Sequence, residues 1–268
     1  MITIDSLLRR ERAVVAVCLA ALTVLAWMYI WRGAGMGMTA SQMTRLALFP
    51  HTQPELMVGM SMPRITWVTI VAMWWVMMIA MMTPSAAPFV LLYGRVVRHA
   101  NAQQSRAAVY APSLFLAAGY LVAWLAFACV ATSIQYVLER GGLISSMMLW
   151  SQSAWLSAAL LIGAGAYQLS PFKYRCLHHC RSPIHFLQHH WRPGRSGAFA
   201  MGLEHGAWCV GCCWMLMALL FVGGVMNLVW IALLTLLVLA ERVIAGGVKA
   251  SRATGAVLVM WGLVTLAM

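Results

Sequence analysis

Seven long stretches of this sequence are apolar and almost free of charge. A helix needs about 20 such residues to cross the hydrocarbon core of a bilayer. Because the apolar residues do not alternate with polar ones, helices are favoured over the strands of a membrane barrel. The sequence therefore predicts an all-α polytopic transmembrane helix bundle, a single integral membrane domain over residues 1–268, with seven spans and with six as the main alternative. The predicted spans are Ala13–Trp31, Ile65–Thr83 (continuing as helix past Pro84 towards Tyr93), Ala111–Leu138, Ala154–Leu169, Ala198–Val222, Val225–Ala240 and Thr254–Met268.

The composition excludes a water-soluble chain. Hydrophobic residues make up 63% of the sequence, charged residues only 9%, and the mean hydropathy is +0.82. A soluble domain carries about 25% charged residues. A cytosolic enzyme and a nucleic-acid-binding module are both excluded on this ground, and lipid is the first expected partner.

The net charge of +12 is explained by membrane topology. Of the 18 Lys and Arg residues, all but Arg32, Arg45, Arg64 and Arg140 fall on one side of the predicted spans. Loops that face the cytoplasm are enriched in Lys and Arg. The distribution therefore predicts a cytoplasmic N-terminus and no nucleic-acid partner.

The fifth predicted span concentrates residues that can bind a metal. His205, Cys209, Cys212 and Cys213 follow helical spacing and share one face, which Met201 extends by a turn, and Glu204 is an acidic residue within the span. Thiolate, imidazole and thioether form a soft ligand set that favours Cu(I), with zinc or another transition metal as the alternative. Packing is the competing explanation, since cysteines fill helix interfaces well.

The second predicted span carries a stripe of methionines. They are Met73, Met77, Met78, Met81 and Met82. Thioethers bind Cu(I), although a methionine stripe is more often ordinary core packing. From the predicted topology we expect Met81 and Met82 to lie level with Met201–His205, and the thiols to lie near Met73–Met78.

Two predicted loops add further candidate ligands. The Met-rich outer loop, residues 32–64, holds the possible copper-capture residues Met36, Met38, Met60 and Met62, together with Met43 and Met57. These methionines have no evident core to fill. An amphipathic segment lying on the membrane surface is the alternative.

The second loop, residues 170–196, is basic, is rich in cysteine and histidine, and is predicted to be cytoplasmic. Cys176, His178, His179 and Cys180 form a possible second metal site, and His185, His189 and His190 follow. Reducing conditions in the cytoplasm would keep these thiols free. A basic helix that touches anionic headgroups is the alternative, and both interpretations can hold together.

Three segments carry a resemblance to a known family. They are Trp74-Trp75-x-Met77-Met78-x-Ala80-Met81-Met82-x-Pro84-Ser85-Ala86-x-Pro88, Pro171-x-Lys173-x-x-Cys176-x-x-x-Cys180-Arg181-Ser182-Pro183 and Gly202-x-x-x-Gly206-x-x-Cys209-x-Gly211-Cys212-Cys213-Trp214. The chain resembles the bacterial family of predicted metal-binding integral membrane proteins known as domain of unknown function 2182. The resemblance implies a bacterial inner (plasma) membrane location and a metal site at His205, Cys209, Cys212 and Cys213.

Three functions are compatible with these features. The first is binding of a soft metal, most simply copper, for transport, delivery to a cuproenzyme or homeostasis, with a metal-donor or metal-acceptor protein as partner. The second is a membrane thiol oxidoreductase that uses Cys209-Val-Gly-Cys212, with Cys176 and Cys180 as a shuttle pair. The third is a structural subunit of a larger membrane complex. No catalytic residues are predicted, and a role other than that of an enzyme is favoured.

Overall fold

The fold is all-helical, as the sequence predicts. The computed structural model describes residues 4–35, 37–48, 66–100, 107–145, 149–244 and 246–267. No β-strand occurs in these residues. The helices are α1 (Ile4–Trp31), α2 (Ala40–Leu48), α3 (Trp67–Ala100), α4 (Ala107–Arg140), α5 (Ala154–Leu169), α6 (Pro171–Arg181), α7 (Pro183–His189), α8 (Gly194–Ala218), α9 (Leu220–Gly223), α10 (Leu228–Val243) and α11 (Gly247–Ala267).

Five segments of the described residues are long and apolar enough to cross a membrane. They are Ala13–Trp31, Trp67–Val97, Pro112–Arg140, Gly194–Gly223 and Gly247–Ala267. Helices α5 and α10 coincide with the other two predicted spans but have only 16 residues each. Such a helix is about 24 Å long, which is shorter than a hydrocarbon core of about 30 Å. The count of seven spans therefore stays a prediction.

Helix α3 runs without a break through two prolines. Pro84 and Pro88 both lie inside it, and the helix ends at Ala100. The expectation that the second span continues past Pro84 is thus confirmed. This extra length sets which residues of α3 face the cysteines of α8.

Helices α6 and α7 replace the loop that the sequence predicts over residues 170–196. Ser170 caps α6 by accepting a hydrogen bond from the Lys173 amide at 3.2 Å, and Pro171 occupies the first turn, where a missing amide hydrogen is tolerated. Pro183 occupies the first turn of α7, which has no side-chain cap. The two short helices form a hairpin that packs against α8 through α6 and against α3 through α7.

Glycines allow α4 and α8 to approach closely. A Cβ atom on Gly202 of α8 would overlap the backbone carbonyl of Leu116 on α4, and one on Gly119 of α4 would overlap the carbonyl of Phe199. Small residues at such crossings let the backbones of membrane helices come together. This contact fixes the register between α4 and the cysteine-bearing face of α8.

We expect Gly202→Ala to destabilise the bundle, because the added methyl group forces α4 away from α8. Overpacking of this kind costs about 1–3 kcal/mol. The midpoint of thermal unfolding in detergent should fall. Gly246→Ala is the matched control, since a Cβ atom there meets no atom within 4 Å. Equal midpoints for the two variants would contradict the proposed contact.

Candidate metal centre

Three cysteine thiols lie together on the buried face of α8. Cys209, Cys212 and Cys213 are each exposed by at most 1%. Their spacing of three and four residues places them on adjacent turns, as the sequence predicts. The Cys213 thiol donates to the Cys209 carbonyl at 3.0 Å, which fixes its direction within the helix.

The guanidinium of Arg242, on α10, lies among these thiols. Its Nη2 atom is 2.9 Å from Cys209 Sγ, 3.1 Å from Cys212 Sγ and 3.7 Å from Cys213 Sγ. The Nη1 atom donates to the hydroxyl of Ser85 on α3 at 2.7 Å. Three sulfur atoms thus surround one cationic nitrogen inside the bundle.

Arg242 makes no ion pair with a carboxylate among the described residues. The adjacent Glu241 instead binds Lys173 of α6, with Nζ and Oε2 2.7 Å apart and both side chains 2% exposed. Glu241 also accepts from Gln168 Nε2 at 2.7 Å, and Ser251 donates to the Gln168 carbonyl oxygen Oε1 at 3.0 Å. This network holds the end of α10, and the thiols remain as the groups that face the guanidinium.

A phenol closes the cluster on the α4 side. The Tyr120 hydroxyl is 3.0 Å from Cys209 Sγ and donates to the Met82 carbonyl at 3.4 Å. Tyr120 is 4% exposed, so both contacts are shielded from solvent. Helices α3, α4, α8 and α10 therefore meet at Cys209.

Two cysteines of the predicted second site join the same cluster. The Cys180 thiol lies close to the Cys212 thiol, and Cys176 is buried beside Gly211, where a Cβ atom would lie 3.4 Å from its sulfur. The histidines of that predicted site lie elsewhere. His178 is exposed, and His179 stacks on Trp208 with ring centroids 4.3 Å apart.

The methionines of α3 are all buried in the core that contains the thiols. Met73, Met77, Met78, Met81 and Met82 are each exposed by at most 1%. The expected register was wrong, however, because α3 extends to Ala100. Tyr120 contacts both the Met82 carbonyl and Cys209 Sγ, and Arg242 contacts both the Ser85 hydroxyl and Cys209 Sγ. The end of the methionine stripe is therefore level with Cys209.

The remaining candidates of α8 face other neighbours. Glu204 is 27% exposed and pairs with His190 at 3.4 Å and Arg192 at 3.5 Å. His205 is buried among aromatic rings, stacked on Phe89 with centroids 3.9 Å apart, and its Nδ1 atom has no hydrogen-bond partner. The sulfur of Met201 accepts from the Arg192 amide at 3.3 Å. His205 nevertheless approaches the cluster, since its ring centroid is 6.2 Å from that of Tyr120, whose hydroxyl is 3.0 Å from Cys209 Sγ.

The outer loop is described only in part. Met38 and Met43 are 7% and 4% exposed and belong to the core, so the expectation that they have no core to fill was wrong. The amino-acid sequence of the loop does not reveal the interhelical packing that buries these two methionines. Met36, Met60 and Met62 lie outside the described residues, and their role stays a prediction.

The whole cluster falls within a segment that matches a known family. A family model described as PpoB2, copper chaperone, matches residues 71–265, most of the chain. The chain belongs to the PpoB2 family. No curated protein and no solved structure matches it.

The PpoB2 match supports the predicted link to copper, and it begins within α3 and ends within α11. The outer loop lies before residue 71 and is not covered. In the part of the chain that the structure describes, no group of three or more His, Cys, Asp or Glu side chains is arranged to hold a metal ion as it stands. Because the Arg242 guanidinium lies between the three thiols, a copper ion bound there has to displace it.

Sequence reasoning missed Arg242 and Lys173 as parts of this centre. Both were counted among the basic residues that mark the cytoplasmic side, yet they are 8% and 1% exposed. The available signal was the Glu241-Arg242 pair directly after an apolar run, because charges within membrane helices usually have a partner and a function.

We expect Lys173→Met to destabilise the protein, because it leaves the Glu241 carboxylate buried without its cation. Removing one partner of a buried pair costs about 3–5 kcal/mol. Thermal unfolding in detergent measures the loss. The double variant Lys173→Met/Glu241→Gln should recover most of it, and Lys249→Met, at an exposed position, should have no effect. A Lys173→Met protein as stable as the wild type would refute the role of the pair.

Proposed function

We propose that this protein is a copper chaperone of the bacterial inner membrane that holds Cu(I) on Cys209, Cys212 and Cys213 and passes it to an acceptor protein such as a cuproenzyme. One observation carries the proposal: three buried thiols converge on a single cationic nitrogen. A space that accommodates a guanidinium nitrogen between sulfur atoms suits a small soft cation equally well. Thiolate ligands select Cu(I) by their softness.

The surroundings of the thiols favour a monovalent soft ion over zinc. Cys180 and Cys176 supply two more sulfurs next to Cys212, and the methionine stripe of α3 lines the same core. No carboxylate of the described residues contacts the three thiols, whereas Glu241 is bound to Lys173. Thioether sulfur is a ligand for Cu(I), whereas zinc is bound by thiolate, imidazole and carboxylate, so the methionines are what favour Cu(I).

The predicted topology determines from which side of the membrane the thiols are reached. With a cytoplasmic N-terminus and seven spans, helices α6 and α7 lie on the cytoplasmic side. The thiols are then reached from that side, where reduction keeps them free of disulfides. Copper would enter or leave past Cys176 and Cys180, and the outer methionines Met36, Met60 and Met62 would be a separate capture point.

The copper-binding role predicts that Cys209→Ser, Cys212→Ser and Cys213→Ser each lose the tightly bound copper that remains through purification, because a hydroxyl is a poor ligand for Cu(I). Elemental analysis of anaerobically purified protein measures this. Cys129→Ser is the matched control, since this half-buried thiol lies on α4, outside the cluster. Full copper retention in all three cluster variants would rule out the site. Copper-free wild type with a Cys209–Cys212 disulfide would favour the thiol oxidoreductase instead.

Arg242 should compete with copper for the thiols. A hydrogen bond to a charged group stabilises the folded protein by about 1.5–3 kcal/mol. A difference of about 1.4 kcal/mol in binding free energy is a tenfold change in affinity. We therefore expect Arg242→Gln to bind Cu(I) at least tenfold more tightly and to release it more slowly to a chelator. Arg252→Gln, which removes an exposed charge, should behave as the wild type. Unchanged or weaker binding in Arg242→Gln would show that the guanidinium is not a competitor.

A further inference from the structure

The hairpin of α6 and α7 presents three imidazole rings on its exposed surface. His178, His185 and His189 are all exposed. The rings of His185 and His189 stack with centroids 4.2 Å apart, and the ring of His178 is 6.4 Å from that of His185. We call these three residues the histidine patch.

The spacing within the patch is that of a chelating pair. His185 and His189 are four residues apart on one helix, the separation at which two imidazoles can bind the same ion. His189 Nδ1 lies 2.9 Å from the carbonyl of His185, and an imidazole that donates from Nδ1 leaves the lone pair of Nε2 free.

Among the described residues, these three rings do not pack against aromatic side chains outside the hairpin. The described ring contacts of His178, His185 and His189 are with other histidines. His190, on the same hairpin, is different: it stacks on Phe186 with centroids 4.8 Å apart and pairs with Glu204. The patch therefore consists of the histidines whose imidazoles remain available.

The patch lies next to the thiols along α6. His178 is two residues before Cys180, whose thiol lies close to that of Cys212 in the buried cluster. Residues two apart leave opposite sides of a helix, so a metal ion on the hairpin surface is separated from these thiols by the width of α6.

We propose that His185 and His189, with His178 beside them, form a surface copper-binding site at which the ion is exchanged with a partner. Imidazole binds copper, zinc and nickel without the selectivity of thiolate, so its hold on Cu(I) is the weaker of the two. Since the three rings are not arranged as a closed site, two imidazoles bind first and His178 or water completes the set. The exchange role rests on the proposed function, whereas metal binding by the patch does not.

Titration of the full-length, detergent-purified protein with Cu(I), against a competing chelator and without oxygen, tests this site. The wild type should bind copper at two classes of site. His185→Gln/His189→Gln should lose the weaker class by at least tenfold in affinity and keep the tighter one. His190→Gln, the matched control, should retain both. A double variant that titrates as the wild type overturns the proposal.

A second arm separates this proposal from the thiol site. The variant with Cys209, Cys212 and Cys213 all changed to Ser should keep the weaker class, and X-ray absorption should show nitrogen ligands around its copper. Loss of both classes in this variant, with an unchanged elution volume on size exclusion, would overturn an independent histidine site. Retention of both classes would instead refute the thiol site and leave the histidine patch standing.

Discussion

The contact of one guanidinium with three thiols organises the centre of this protein. A charge buried in an apolar bundle is expensive unless polar groups surround it. Here the surrounding groups are Cys209, Cys212, Cys213 and Ser85, because Glu241 is already bound to Lys173. The helices that carry these groups are held in register around Arg242.

Local periodicity was enough to predict the helices and the clustering of the α8 thiols, since both follow from 3.6 residues per turn. It could not predict which other helices face them. Arg242 lies at the end of an apolar run, where a basic residue is normally explained by topology. Cys180 joins Cys212 only through the packing of α6 on α8. The helix was expected to pass Pro84 and continue towards Tyr93, but it continues to Ala100, and the register of α3 depends on that further extension.

The histidine and cysteine side chains of α6 point in different directions. The sequence places Cys176, His178, His179 and Cys180 in one turn and a half, which suggested one mixed site. The helix instead directs its two thiols towards α8, leaves His178 exposed and sets His179 on Trp208. One short helix thus contributes soft ligands to the buried centre and an imidazole to the surface.

A protein that delivers an ion must bind it and also give it up. Three thiols in an apolar core would hold Cu(I) too tightly for ready exchange if nothing competed for them. In the proposed function, Arg242 would supply that competition from within the fold, since its guanidinium contacts the same sulfur atoms when no ion is bound. Transfer from the thiols of the buried centre to the imidazoles of the histidine patch would then move the ion from softer to harder ligands, which hold Cu(I) less tightly.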